Sequence, residues 1–211
     1  MKKKNNIFWN KFYKKFNLSV PSNFAKFVVK NKYFKKGYVL DVGCGNGRDS
    51  FYFFKSGNKI IGIDKSEMAI KLNKKILSNS FFKKNICSKK LNLNFTKDKK
   101  ISNIYARFFI HAITAEDQFY FFKNIKKIIS KNTKIFLEFR TIKDPMMKIG
   151  KKISKNERIS DHYRRFINTQ EFEKELKILN FKIIYKKESF NFAKYKNEHP
   201  HICRMILSKV C

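Results

Sequence analysis

Two groups of residues have types and spacing suited to chemistry. The first is VLDVGCGNGRDS, residues 39–50, in which Gly43, Gly45 and Gly47 stand between Asp41 and the pair Arg48-Asp49. Alternate glycines allow a tight turn and a close approach of ligand to backbone. Asp41 beside the turn and Asp64 further on add carboxylates, which accept hydrogen bonds from hydroxyls or meet a positive charge. The second group is cationic and aromatic: Arg107, His111, Arg140 and the run His162-Tyr163-Arg164-Arg165. Guanidinium grips phosphate or carboxylate bidentately. A histidine exchanges a proton near neutral pH. The pattern points to a nucleotide-like ligand at the glycine turn and an anionic reactant next to it.

Positioning these groups requires strands that end where they stand. Tyr38 to Val42, bounded by Gly37 and Gly43, reads as a buried strand feeding the glycine turn, with a helix from Asp49 to Lys55 behind it. Lys59 to Ile63 reads as a second strand stopped by Asp64, followed by a helix from Ser66 to Leu77. Further strands are expected at Lys84–Cys87, Ile104–Phe109 and Lys134–Phe139, with a helix at Ala115–Ile129. The polar stretch from Arg140 to Asp161, which carries Pro145, reads as a long functional loop or lid. A helix from Thr169 to Leu179, with Thr169 in the capping position, precedes two closing strands, Phe181–Lys186 and Ile202–Ser208. At the front, Phe8, Trp9, Phe12, Tyr13 and Phe16 recur at helical spacing, and Ser22 is placed to cap a helix over Asn23–Asn31. The expectation is a single α/β unit with a largely parallel seven-stranded sheet, an antiparallel edge strand and helices on both faces. Residues 1–35 form its helical cap and residues 36–211 its ligand-binding domain.

Composition bounds the partners. Lys and Arg number 49 against 16 Asp and Glu, a formal charge of +33. Such a field attracts nucleic acid, anionic lipid or small anions. The basic residues are mostly lysine, spread evenly among many Asn, Ile and Phe, which is also what an AT-rich genome yields. A nucleic-acid stripe would cluster them on one face, so nucleic acid is not the expected partner. Cys44, Cys87, Cys203 and Cys211 lie far apart without metal spacing, as in a reduced cytosolic protein, and His199-Pro200-His201 lacks further ligands, so no metal is expected. The start lacks the continuous apolar core of a signal peptide, and no run reaches membrane-spanning length. The expected location is cytoplasmic.

A dinucleotide site calls for G-x-G-x-x-G, but counting from Gly43 the third glycine position holds Arg48. The spacing Asp41-x-Gly43-x-Gly45-x-Gly47 instead resembles motif I of the class I S-adenosylmethionine-dependent methyltransferases. That resemblance implies a Rossmann-like fold and S-adenosyl-L-methionine as cofactor, with S-adenosyl-L-homocysteine as product. It places Asp41 near the cationic methionine end, the turn residues Gly43, Cys44, Gly45, Gly47 and Arg48 along the cofactor, and Asp64 with Lys65 at the ribose. An acid near the end of strand three is common in the family; here Asn85 and Ile86 fill that stretch and take its place toward the adenine. Arg107 borders the same cleft.

The acceptor belongs after strands four and five. Base-amine methylating enzymes resemble one another in an Asn/Asp-Pro-Pro-aromatic motif after strand four, where this chain has Arg107-Phe108-Phe109. His111 is a candidate general base or a histidine satisfied by backbone. Arg107, Arg140, His162, Tyr163, Arg164 and Arg165 are candidates for an anionic acceptor, the last two alternatively a solvated basic face; Tyr13 is a candidate from the cap, or a core aromatic. The runs SNFAKFV (22–28), GIDKSEMAI (62–70), YARFFIHAIT (105–114), FLEFRTIKD (136–144) and HYRRFI (162–167) resemble methyltransferases associated with bacterial capsule and surface polysaccharide, including O-methyl phosphoramidate decoration. That resemblance implies a phosphorylated or phosphoramidate glycan precursor as acceptor. An RNA methyltransferase, favoured by the charge, and a non-catalytic basic nucleic-acid-binding module are the alternatives.

Overall fold

The computed structural model describes residues 2–15, 20–194 and 198–210. Phe16 of the expected aromatic stripe and Cys211 lie outside them. The chain begins with helices α1 (Lys2–Lys15) and α2 (Asn23–Lys30), then runs β1 (Tyr38–Val42), α3 (Arg48–Lys55), β2 (Lys59–Asp64), α4 (Glu67–Lys74), β3 (Phe81–Lys83) and β4 (Ile101–Arg107). It continues through α5 (Ala115–Ile125), β5 (Lys134–Arg140), the short strands β6 (Lys151–Ser154), β7 (Glu157–Ile159) and β8 (Tyr163–Arg165), α6 (Thr169–Ile178), β9 (Phe181–Ser189) and β10 (Ile202–Lys209).

Seven strands form one sheet in the order β3-β2-β1-β4-β5-β10-β9. The first five run parallel, and the antiparallel edge is made by β10 and β9, with β10 running against its neighbours β5 and β9. Side-chain alternation splits the core. Val39 and Ile60 face Phe24, Ala25 and Val28 of α2, Phe53 of α3 and Ile70 of α4. Leu40 and Ile61 face Phe121, Phe122 and Ile125 of α5 and Phe172 and Leu176 of α6. Strands covered on both faces read as continuous apolar runs, which is why β1 and β2 were legible. Strand order reverses at β1, which pairs with β2 on one side and β4 on the other. The connections leaving β1 and β4 therefore diverge and open a crevice at the carboxyl edge. This is the Rossmann-like arrangement that the spacing implied.

Helices α1 and α2 are held very differently. Phe24, Ala25 and Val28 of α2 are buried, each large apolar side chain contributing about 2 kcal/mol. The aromatics of α1 from Phe8 to Tyr13 are only half-buried.

Three expectations need correction. The third strand is Phe81–Lys83, not Lys84–Cys87. Its register is set by Phe81, whose ring lies across Gly62 where any Cβ would stand 2.3 Å from it. The Lys84 N–H then donates to the Asp64 carbonyl and Asn85 Oδ1 accepts from the Cys87 N–H, turning the chain. The stretch from Arg140 to Asp161 is not irregular throughout: β6, β7 and β8 build an antiparallel three-stranded sheet. β6 is charged and exposed, β7 is half-buried, and β8, though mostly buried, is only three residues long with two arginines, so apolar periodicity could not reveal them. Helix α6 is capped by Asn168, whose side chain accepts from the Gln170 and Glu171 N–H groups, rather than by Thr169.

Candidate active site

The turn after β1 is a backbone device. Gly43, Gly45 and Gly47 all adopt positive φ, between 52° and 74°. At Gly45 a Cβ would stand 2.5 Å from the Tyr13 hydroxyl oxygen, and at Gly47 it would stand 2.7 Å from Asn73 Oδ1. Both positions thus exclude a side chain on conformation and on space. The turn is fastened to its surroundings: the Gly43 and Cys44 N–H groups donate to the Ile63 carbonyl, the Gly45 N–H donates to Asp64 Oδ2 at 3.0 Å, and Asn73 Nδ2 donates to the Gly45 carbonyl at 2.8 Å.

Three carboxylates surround this turn, Asp41 and Asp49 buried and Asp64 half-buried, and their partners set their roles. Asp49 is saturated. Its oxygens accept from the Ser22 N–H and hydroxyl at 2.7 and 2.8 Å and from the Tyr105 hydroxyl at 2.7 Å, tying α2 to β4 through the start of α3. Asp64 accepts the Gly45 N–H on one oxygen and the Ser66 N–H, at 2.7 Å, on the other. A carboxylate oxygen takes two hydrogen bonds, and with the Lys65 N–H also acting on it this carboxylate still keeps acceptor capacity. Asp41 accepts only from the Ser50 hydroxyl, at 2.6 Å, among the described residues. Burial with so little compensation, aided by Asp49 and Asp64, raises its pKa to about 8.

A cleft of about 600 Å³ opens above the turn. Asp41, Gly43, Cys44, Gly45, Arg48, Asp64, Lys65, Asn85, Ile86 and Arg107 line it. Gly47 does not. It is the left-handed residue from which α3 starts, with its space taken by Asn73 and Phe51. Helix α1 roofs the cleft with Trp9, Phe12 and Tyr13. It is pinned by Asn10, whose side-chain oxygen accepts from the Ser66 hydroxyl at 2.6 Å, and by His162, whose ring packs on Phe8 and Trp9 at centroid distances of 4.6 and 4.9 Å.

The far wall comes from the segment after β4. Arg107 ends the strand, and Phe108 follows with φ 54°, a left-handed conformation costing a non-glycine residue about 1–2 kcal/mol. Its N–H donates to the Glu138 carbonyl at 2.8 Å, and Arg107 packs its guanidinium over the Phe108 ring at 4.2 Å. The Arg107 Nε donates to Glu138 Oε1 at 3.1 Å. Its two Nη groups have no protein acceptor among the described residues, and 21% of the side chain is exposed. Thr114, which caps α5, Asp117 and Tyr163 complete this wall. Tyr163 donates its hydroxyl to Glu157.

Several expected acceptor residues lie elsewhere. His111 is buried beneath the wall, and its Nδ1 accepts the Arg140 backbone N–H at 3.2 Å. Burial and then Arg140 hold its pKa well below the usual histidine range. A neutral ring with Nδ1 engaged carries its proton on Nε2, so neither nitrogen is free to act as a base. Arg140 is fully committed: Nη1 donates to both oxygens of Asp144 and Nη2 to Glu198 Oε2 at 2.9 Å. Arg164 donates to Ser160 and Asp161, and Arg165 to the Ile113 carbonyl and Gln118. His162 faces α1, with its pKa lowered to about 4, chiefly by burial. Of the four arginines proposed for the acceptor, Arg107 alone lines the cleft. Sequence reading missed Asn10, Asn73, Asp117 and Glu138. Asp117 sits at the third helical position after the Thr114 cap and could have been found from that capping signal; the others have no local signature.

Among the described residues no cluster of His, Cys, Asp and Glu is arranged to hold a metal, and no helix is long and apolar enough to cross a membrane. By shape the chain is similar to a protein from Pyrococcus horikoshii OT3, at 17% identity and TM-score 0.69, with 89% of this chain and 88% of that one covered. It is also similar to an S-adenosylmethionine-dependent methyltransferase from Clostridium acetobutylicum ATCC 824, at 13% identity and TM-score 0.68, with 90% and 92% covered. A third is the 1,6-didemethyltoxoflavin-N1-methyltransferase of Burkholderia thailandensis, solved with bound 1,6-didemethyltoxoflavin and S-adenosylhomocysteine, at 12% identity and TM-score 0.66, with 89% and 77% covered. At these identities the likeness is one of fold. No curated protein matches the sequence. The model of the methyltransferase domain matches residues 34–187, from just before β1 into β9, and the chain belongs to that family of methyltransferase domains.

Proposed function

We propose that the protein transfers the methyl group of S-adenosylmethionine to an anionic small-molecule acceptor. The observation that carries the acceptor half is Arg107, a guanidinium at the cleft whose two Nη groups have no protein acceptor among the described residues. The cofactor half is supported by how the residues fit. The acceptor capacity left on Asp64 suits a ribose hydroxyl, the sparsely bonded Asp41 suits a cationic amino-acid end, and Asn85 and Ile86 line the part of the cleft taken for a base. When bound, that cofactor supplies an electrophilic methyl on a sulfonium, for in-line transfer to an acceptor lone pair.

The chain's own work is placement and exclusion of water. Gly43 and Gly45 let the Phe109 and Tyr13 rings pack directly on the turn, Trp9, Phe12 and Tyr13 cover the cleft, and Arg107 aligns the anion with the methyl. An oxygen that is already ionised needs no base, which accords with the engaged ring of His111. On the sequence runs quoted above we take the acceptor to be a phosphorylated or phosphoramidate precursor of a surface glycan.

Calorimetry with S-adenosylhomocysteine tests the first half, and absence of binding would end it. A panel of phosphorylated and nucleotide-linked sugars, read by mass spectrometry for a product heavier by one CH2, tests the second. Arg107→Ala should abolish that product while leaving cofactor affinity nearly unchanged. Equal methylation of neutral analogues would refute the anionic acceptor.

A further inference from the structure

Three neighbouring strands present Arg107 of β4, Glu138 of β5 and Arg204 of β10 in one register row. Glu138 is 1% exposed, and each of its oxygens is used: Oε1 accepts from Arg107 Nε at 3.1 Å, and Oε2 accepts from Arg204 Nε at 2.8 Å. Arg204 is enclosed on its other side. Its guanidinium carbon lies 4.2 Å from the Phe192 ring centroid and 5.0 Å from that of Phe27, and Nη2 donates to the Phe192 carbonyl at 3.3 Å.

The row holds two guanidiniums against one carboxylate. The surplus positive charge has an outlet at one end only, because Arg204 is walled in by rings whereas Arg107 reaches the cleft. Asp49 also acts on Arg107, but its oxygens are taken by Ser22 and Tyr105. A buried Arg–Glu–Arg row is a poor way to add stability, since apolar residues of similar volume often serve as well. Both contacts to Glu138 use Nε, the inner nitrogen. A guanidinium held there has its plane set and its outer fork left free, the geometry that receives an oxyanion side-on.

We infer that Glu138, braced from behind by Arg204, is a positioning residue that fixes the fork of Arg107 as an oxyanion subsite. This rests on the reading of an anionic acceptor given above, and the test separates the two. Inorganic phosphate is titrated into protein loaded with S-adenosylhomocysteine at physiological ionic strength. The readout is the 15N–1H resonance of Arg107 Nε, identified by its loss in Arg107→Lys, so that phosphate on surface lysines does not register. Glu138→Gln should weaken phosphate at this resonance roughly tenfold while S-adenosylhomocysteine affinity stays within about twofold. Glu138→Asp, which keeps the charge but shortens the reach, should fall between. Should Glu138→Gln fail to fold, Arg204→Met makes the same test from the far side and should weaken phosphate roughly threefold. Unchanged phosphate affinity in folded variants, with a wild-type resonance that does respond, overturns the positioning role and spares the acceptor reading. A wild-type resonance indifferent to phosphate overturns both.

Discussion

The two sides of the cleft are built from opposite materials. The β1–β2 side is backbone held by carboxylates: glycines in left-handed conformations, with Asp64 anchored to main-chain N–H groups and Asp41 left, among the described residues, with a single hydroxyl partner. The β4–β8 side is rich in guanidinium, and nearly all of that charge is spent internally, Arg140 on Asp144 and Glu198, Arg164 on Asp161, Arg165 on a carbonyl and an amide. On the first side a missing partner marks where a ligand belongs. On the second, a crowd of cations marks architecture, and the exception, Arg107, is recognised by what it fails to contact.

Breaking an internally spent arginine should be the costliest change. Arg140→Ala strands the buried Asp144 without its counter-ion, at about 3–5 kcal/mol. Thermal unfolding should shift down by roughly 10 °C, while the folded fraction keeps its affinity for S-adenosylhomocysteine. A variant that stays stable but loses acceptor turnover would erase the distinction between Arg140 and Arg107. Next in size, Asp64→Ala removes two main-chain anchors as well as the ligand's acceptors. Calorimetry should show loss of S-adenosylhomocysteine affinity on the order of 100-fold, given about 1.5–3 kcal/mol per charged hydrogen bond.

How much of this contrast was readable beforehand follows from the same physics. The glycine side was legible because positive φ demands glycine and buried parallel strands demand apolar runs, both local properties of residues 38–64. The cationic side was misread because pairing is tertiary. The local clues were present, Asp144 four residues after Arg140 and Asp161 three before Arg164, but spacing alone does not say whether an acid turns toward its neighbour. The role of His111 depended on which ring nitrogen met the Arg140 N–H, which no sequence displays. Strand β3 shifted because one ring, Phe81, needed the bare Gly62 as its seat, and Glu138 became visible only when three strands aligned.

The pH dependence of cofactor binding sharpens the carboxylate side. With its pKa raised to about 8, Asp41 holds a proton in the ligand-free protein at neutral pH. A cationic ligand end favours the ionised form, so affinity should climb with pH, by up to tenfold per unit below about 8, and then level, with release of one proton on binding. Calorimetry of S-adenosylhomocysteine in buffers of differing ionisation enthalpy reads that proton; Asp41→Asn should make both the slope and the proton vanish. The smallest effect concerns the join between the two sides. His162→Ala removes the ring on which Phe8 and Trp9 rest, and aromatic contacts of this kind contribute about 0.5–1.5 kcal/mol. Hydrogen exchange in α1 should quicken while the rest of the fold is unaffected.

Helix α1 stands apart in one respect: it roofs the cleft with Trp9, Phe12 and Tyr13, while the glycine turn, Asp41 and Asp64 stand on the strands beneath it. On the function proposed above, a variant lacking α1 keeps the glycine turn, Asp41 and Asp64 and should still bind S-adenosylhomocysteine. Its cleft loses Trp9, Phe12 and Tyr13 and opens to water, which competes for every aligned contact. Retained binding with lost turnover would separate holding the donor from putting it to use.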